Sequence, residues 1–66
     1  MMRFELDGEK VLVIDYCDYK SCERVYGHIQ EAEDGGYVYF HTSDSPLTTR
    51  QLHDIFEYQR DLNRAR

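Results

Sequence analysis

The sequence has few cysteines and no long apolar run, and each shortage excludes a class of protein. The two cysteines, Cys17 and Cys22, are too few for the disulfide framework of a small secreted domain. No apolar run approaches the roughly eighteen residues that a membrane-spanning helix needs. Residues 1–3 do not lead into a signal peptide. We therefore expect a cytoplasmic protein without membrane contact, whose two thiols are reduced.

Basic residues are also scarce. The chain has 8 Lys and Arg against 13 Asp and Glu, which gives a formal net charge of −5. Residues 1–42 carry nine of the acids and only four of the bases, whereas residues 43–66 carry four of each, so the whole imbalance lies in the first part. A phosphate-binding surface needs the opposite sign. The charge therefore argues against direct nucleic-acid binding by this part and favours a partner protein with a basic surface.

The length predicts a single domain over residues 1–66 with a modest core. A chain of this size buries only about 60% of the surface that its unfolded form exposes. Hydrophobic residues make up 41% and charged residues 32% of the chain, which is typical of a folded domain. Because the core is small, a homodimer formed by edge pairing or helix packing would be an economical source of further burial.

The first predicted element is a hairpin. Apolar and charged residues alternate over 3–6, and Asp7-Gly8 is a strong two-residue turn because glycine accepts the positive φ that the turn requires. The return strand over 10–15 contains four consecutive apolar residues, which is typical of a strand that lies centrally in a sheet.

Residues 19–32 fit two structures. Apolar residues recur there at helical spacing: Cys22, Val25, Tyr26, Ile29 and Ala32. Against a helix, Gly27 would cost about 1 kcal/mol relative to alanine. A turn over 33–36 then leads into a strongly β-forming aromatic run over 37–40. We therefore favour a strand, in a hairpin that spans 24–42.

The last predicted element is a helix that follows the sheet-breaking segment 43–46. Thr48 and Gln51 form a capping box, and Leu47 and Leu52 form a hydrophobic staple around it. The predicted buried stripe has a 3.6-residue spacing: Leu52, Ile55, Phe56, Gln59 and Leu62. The predicted fold class is α+β, a small antiparallel sheet of about four strands in two hairpins, packed against one C-terminal helix.

No catalytic, cofactor or metal site is predicted. Cys17 and Cys22 form a loose C-x₄-C pair and the three histidines are scattered, whereas a structural zinc site normally has two tightly spaced ligand pairs. A domain this small has little room for a catalytic pocket. Gly35-Gly36 lies in a hairpin turn instead of between a strand and a helix, so it does not match a phosphate-binding loop.

Acids and tyrosines together supply the candidate partner-binding surface. Tyrosine is enriched at protein interfaces, and carboxylates around it would select a partner rich in Arg and Lys. In the alternative interpretation, the tyrosines fill the core beneath the helix and the acids keep the domain soluble. Six residues are predicted as partner contacts: Asp15, Asp18, Tyr19, Glu31, Glu33 and Asp34.

The C-terminal half carries a strand–turn–helix pattern, with the segments Gly36-Tyr37-Val38-Tyr39-Phe40-His41, Leu47-Thr48, Gln51-Leu52, Ile55 and Leu62-Asn63. In this pattern the chain resembles small orphan accessory proteins of phages and prophages, in which an aromatic strand runs into a capped helix. The resemblance implies a context, because many such proteins bind and disable a host factor, CRISPR effectors included. We therefore expect a non-enzymatic inhibitor that docks on the basic, nucleic-acid-binding surface of a host protein such as a defence complex.

Two other functions stay open on the sequence. One is a small DNA-binding regulator that uses the C-terminal helix and its arginines, Arg60 and Arg64, although the neutral charge of residues 43–66 gives it little support. The other is a small metal-binding protein, which stoichiometric zinc in purified material would identify.

Overall fold

The computed structural model describes residues 2–16 and 22–65. Its elements are β1 (Arg3–Asp7), β2 (Lys10–Tyr16), β3 (Glu23–Glu31), β4 (Tyr37–His41) and α1 (Thr49–Ala65). The four strands form one antiparallel sheet in the order β1-β2-β3-β4. This arrangement confirms the predicted fold class, and it shows that the ambiguous segment contains a strand, as favoured.

The first hairpin forms as its turn residues predict. Gly8 has a φ of 66°, the left-handed conformation that glycine adopts without steric cost. Asp7 pairs with Lys10 across the turn. The return strand β2 lies between β1 and β3, and its Val11, Val13 and Ile14 are buried, which agrees with its apolar run.

Position 27 in β3 requires a glycine because there is no room for a side chain. A Cβ atom on Gly27 would lie 2.1 Å from the carbonyl oxygen of Phe40 on the neighbouring strand β4. Close by, the register of β2 against β3 shifts between Val13 and Ile14. The glycine that weakened the helical interpretation is therefore the residue that lets β3 and β4 approach each other here.

One face of the sheet packs against α1. Val11, Val13, Ile29 and Ile55 form the buried cluster between them. At its margin, the rings of Phe4 and Tyr58 stack with their centroids 4.1 Å apart.

The predicted helix stripe is wrong at one position. Phe56 is 57% exposed, whereas Tyr58 packs against the core. Successive helical residues are rotated by about 100°. With Ile55 facing the sheet, Phe56 turns away from it, whereas Tyr58 and Leu62 return to its side.

Both ends of α1 are tied to the sheet by side-chain amides. The predicted capping box forms, since the Gln51 backbone N–H donates to Thr48 Oγ1 and the Thr48 backbone N–H donates to Gln51 Oε1. Gln51 Nε2 also donates to Asp15 Oδ2, 2.9 Å away at the end of β2. Near the other end of the helix, the Tyr37 N–H donates to Asn63 Oδ1 at 2.8 Å. The helix therefore runs from the Asp15 end of the sheet to the Tyr37 end.

The expectation of reduced thiols is wrong for Cys22, which is disulfide-bonded. The other cysteine of the chain, Cys17, lies outside the described residues. Spacing alone does not distinguish a C-x₄-C pair of free thiols from a bonded one, since bonding depends on whether the backbone brings two Cβ atoms within reach.

Across residues 2–16 and 22–65, the structure contains no helix with the length and apolar character that crossing a membrane takes.

Candidate functional site

The antiparallel register brings two turns of the chain to one end of the sheet. Lys10, just after the β1–β2 turn, pairs with Gln30, just before the β3–β4 turn. The two turns therefore lie side by side although they are more than twenty residues apart in the sequence. Their acidic residues form what we call the acidic end: Asp7, Glu9, Glu31, Glu33 and Asp34.

The acidic end carries nearly uncompensated charge. All five of its acids are exposed, and Lys10 is the one basic residue within the same two turns. Within residues 2–16 and 22–65, none of the five carboxylates takes part in an ion pair. The C-terminus of α1 lies at this end too, and its dipole adds partial negative charge that Arg64 in the last turn opposes.

An open groove of about 740 Å³ lies within the acidic end. Its apolar lining comes from both hairpins and from the helix: Leu6, Val11, Tyr37 and Leu62. Asp7, Glu9, Lys10 and Glu31 line it as well. Leu6 is 78% exposed, the most exposed of the large apolar side chains in the described residues. The groove lining thus combines apolar and acidic side chains.

The predicted contacts do not form one surface. Glu31, Glu33 and Asp34 lie together at the acidic end, whereas Asp15 lies at the opposite end of the sheet, where it accepts hydrogen bonds from Gln51 and from the Tyr16 N–H. Asp18 and Tyr19 lie outside the described residues. Whether any of the six contacts a partner stays a prediction.

Asp15 has a structural environment. Partial burial of its carboxyl raises its pKa, whereas hydrogen bonds from the Gln51 side chain and the Tyr16 N–H are among the effects that lower it, and the resulting pKa lies below the ordinary value of 3.8. These bonds stabilise the ionised carboxylate. The bond from Gln51 also connects β2 to the first turn of α1.

Sequence reasoning missed Leu6, Asp7 and Glu9 as site residues. The signal was present, because a sheet built from two consecutive hairpins places their two turns at the same end. Residues of the first turn could therefore have been grouped with Glu31, Glu33 and Asp34.

The tyrosines mainly follow the alternative interpretation, in which they fill the core. Tyr26 is buried, and Tyr37, Tyr39 and Tyr58 pack against the core cluster. Burial raises the pKa of Tyr39, whose hydroxyl is 2.9 Å from His41 Nδ1. Tyr16, in contrast, is 49% exposed. The candidate surface therefore depends on carboxylates and Leu6 more than on tyrosine.

One group of side chains has the composition of a metal site. The ligand atoms of His53, Asp54 and Glu57 on α1 lie within 4.8 Å of one another. His53 Nδ1 is 3.9 Å from Asp54 Oδ1 and 3.8 Å from Glu57 Oε2. The imidazole is 70% exposed, and exposed acidic groups commonly cluster without a bound cation, so this arrangement alone does not identify a metal site.

Comparison with protein-family models, with curated proteins and with solved structures finds no match to this chain.

Proposed function

We propose that this domain is a non-enzymatic protein-binding module whose acidic end docks on a basic surface of a partner protein. The observation that carries the proposal is the gathering of five exposed carboxylates, with one lysine among them, at a single end of the sheet. Complementary charge speeds the encounter of two proteins and selects against wrong partners.

The groove adds apolar contacts, which contribute affinity that charge alone does not provide. Apolar anchors that fill pockets contribute much of the affinity at protein interfaces, whereas exposed ion pairs contribute little. An apolar side chain of the partner fits between Leu6 and Leu62, with Lys or Arg residues beside it facing Glu31 and Asp7. The expected partner segment is therefore basic and carries at least one apolar residue.

Inhibition follows if the basic surface is one that normally holds DNA or RNA. The clustered carboxylates would then occupy sites meant for phosphates, and the domain would compete with the nucleic acid. We place this action in the cytoplasm on a host defence complex, in line with the resemblance to phage accessory proteins. Disulfides are rare in the reducing cytoplasm. Cys22 is disulfide-bonded, so finding this bond intact in cells would count against the proposed location.

The experiment compares two variants of equal charge. The acidic-end variant carries Glu31→Gln, Glu33→Gln and Asp34→Asn. The C-terminal variant carries Asp44→Asn, Glu57→Gln and Asp61→Asn, all at exposed positions outside the acidic end. Each removes three negative charges, and asparagine at position 34 keeps an oxygen for the bond from the Gly36 N–H. Tagged wild-type protein and both variants are used to capture partners from host lysate, with low-salt and high-salt washes.

The proposal predicts a stoichiometric partner that the wild type and the C-terminal variant retain and the acidic-end variant loses. Binding should weaken as salt rises, because exposed charges are screened. A partner held equally by both variants, or with salt-independent affinity, would contradict docking through the acidic end. Recovery of DNA that is lost on Arg60→Ala and Arg64→Ala would instead support the DNA-binding regulator.

If a partner is captured, a competition experiment tests inhibition. A labelled DNA or RNA bound to the purified partner should be displaced by the wild-type domain and not by the acidic-end variant. A partner that binds the domain and its nucleic acid together would leave the binding module in place and remove the inhibitor function.

A further inference from the structure

The sheet face turned away from α1, which we call the outer face, carries a group of apolar side chains. Side chains alternate between the two faces of a strand. Since Val11, Val13 and Ile29 face the helix, their neighbours face outward. The apolar members of the outer face include Leu12, Ile14, Val38 and Phe40. Val25 joins them because the register shift in β3 places it opposite Ile14, which is itself buried.

These side chains are contiguous. The register places Leu12 opposite His28 and His28 opposite Phe40, so one row crosses three strands. The rings of His28 and Phe40 stack with centroids 5.4 Å apart, and His28 Nε2 lies 2.8 Å from Gln30 Oε1. Val25 is 44%, Val38 38% and Phe40 43% exposed. The patch is therefore both ordered and open to a partner.

The charge of the outer face is nearly balanced, in contrast to that of the acidic end. It holds two bases, Arg3 and Lys10, and three acids, Glu5, Asp7 and Glu23. Arg3 lies 3.3 Å from Glu5 and 2.8 Å from Glu23, which sits two strands away. With Asp7 in the turn, the face is close to neutral.

We propose that the outer face is the interface of a homodimer in which two sheets pack face to face. A chain of net charge −5 repels its own copies, so association is favoured where charge is nearly balanced. A twofold axis brings the same patch of each copy together, and a face with both signs can set its bases against the partner copy's acids. A purely basic partner would find no such complement here.

The size of the face sets the expected affinity. Strands about 4.8 Å apart and five or more residues long give a face of roughly 15 by 20 Å. Two such faces cover about 600 Å², less than a stable specific interface buries. We therefore expect a weak dimer, with a dissociation constant of about 100 μM to 1 mM. The dimer would give each small chain a second apolar layer.

The inference does not rest on the proposed function, because the apolar patch on the outer face contains none of the groove residues. Of the charged residues named on the outer face, Asp7 and Lys10 also line the groove. The test is sedimentation velocity over a concentration series, from low micromolar to millimolar. The wild type should change from monomer to dimer across this range.

Val38→Lys is the diagnostic variant. It puts two like charges into the interface and should raise the dissociation constant about a hundredfold or more. Phe56→Lys is the matched control, since Phe56 is an exposed apolar residue on α1, and it should leave dimerisation unchanged. Far-UV circular dichroism checks that each variant is folded, and Phe40→Ser replaces Val38→Lys if the latter is not.

Two results would overturn the inference. One is a wild type that stays monomeric up to millimolar concentration. The other is a dimer that persists when folded Val38→Lys or Phe40→Ser replaces the wild type, which would assign association to a strand edge or to the helix.

Discussion

Gly27 lies where β3 and β4 come too close for any side chain. A Cβ atom there would lie 2.1 Å from the Phe40 carbonyl oxygen and 2.6 Å from the Tyr39 hydroxyl oxygen. Because the first of these atoms is backbone, Gly27→Ala forces the two strands apart. We expect it to lower the free energy of unfolding by about 2–3 kcal/mol, measured by urea denaturation.

Gly8→Ala is the control for this prediction. Gly8 has a positive φ but no atom within 4 Å of the position its Cβ would take, so only backbone strain of about 1 kcal/mol is expected. Equal losses in the two variants would show that the close approach of the strands is not what requires Gly27.

Asp15 should contribute stability that depends on pH. Its pKa is lowered in the folded state, so the contribution is complete above the unfolded pKa near 4 and is lost as pH falls through the folded pKa. Asp15→Asn should therefore lower the free energy of unfolding by about 1 kcal/mol at pH 7, less than is typical of a hydrogen bond to a charged group, because the carboxyl is only partly buried. The deficit should shrink in acid, as measured by urea unfolding across a pH series.

A double-mutant cycle assigns this effect to the contact with Gln51. In a Gln51→Ala background the deficit of Asp15→Asn should be smaller, because Gln51 Nε2 no longer donates to the carboxylate. A deficit that is the same at all pH values and in both backgrounds would contradict the role given to Asp15.

Single positions show where sequence patterns are too coarse. A 3.6-residue stripe centred between Ile55 and Phe56 looks as regular as one centred between Ile55 and Tyr58. What decides between them is the stacking partner Phe4, which lies more than fifty residues away in the sequence. Likewise, the residues next to Gly27 in the sequence do not indicate that the carbonyl oxygen of Phe40 lies beside it. Both features depend on tertiary contacts.

Two neighbouring threonines lie at the start of α1, and the first of them, Thr48, caps the helix. Thr48 Oγ1 accepts the Gln51 N–H at 3.1 Å, whereas Thr49 is the exposed first residue of the helix. Thr48→Ala should lower the free energy of unfolding by about 1 kcal/mol. Thr49→Ala should change it by no more than a few tenths, with alanine slightly favoured by helix propensity. Thermal unfolding of the two variants side by side gives the comparison, and equal shifts would argue against the cap.

Elements whose signals are local could be predicted. The Asp7-Gly8 turn, the apolar run of β2 and the capping box each combine a propensity with a backbone requirement within a few residues. The acidic end could be predicted only in part. Glu31, Glu33 and Asp34 are neighbours in sequence, but Asp7 and Glu9 join them only through the pairing of β2 with β3. The bonded state of Cys22 was beyond prediction, since it depends on backbone geometry.

The charge of the molecule is distributed so that repulsion within the acidic end lowers the stability of the fold. Five carboxylates with one lysine repel one another, whereas Asp61 on α1 has a cationic neighbour, because it lies 3.9 Å from Arg60. Natural proteins commonly give up stability where a site serves function. The acidic-end variant should therefore lose its partner and yet be the more stable protein.

The two charge-matched variants test this directly. At low ionic strength, the acidic-end variant should exceed the wild type in free energy of unfolding by about 0.5–1 kcal/mol, because three repelling charges are removed. The C-terminal variant should be equal to the wild type or slightly less stable. In about 1 M NaCl the Debye length falls to about 3 Å, and the differences should largely disappear. Urea unfolding at both salt concentrations measures them. If both variants respond to charge removal and to salt alike, the effect is one of net charge, and the acidic end is no more strained than the rest of the surface.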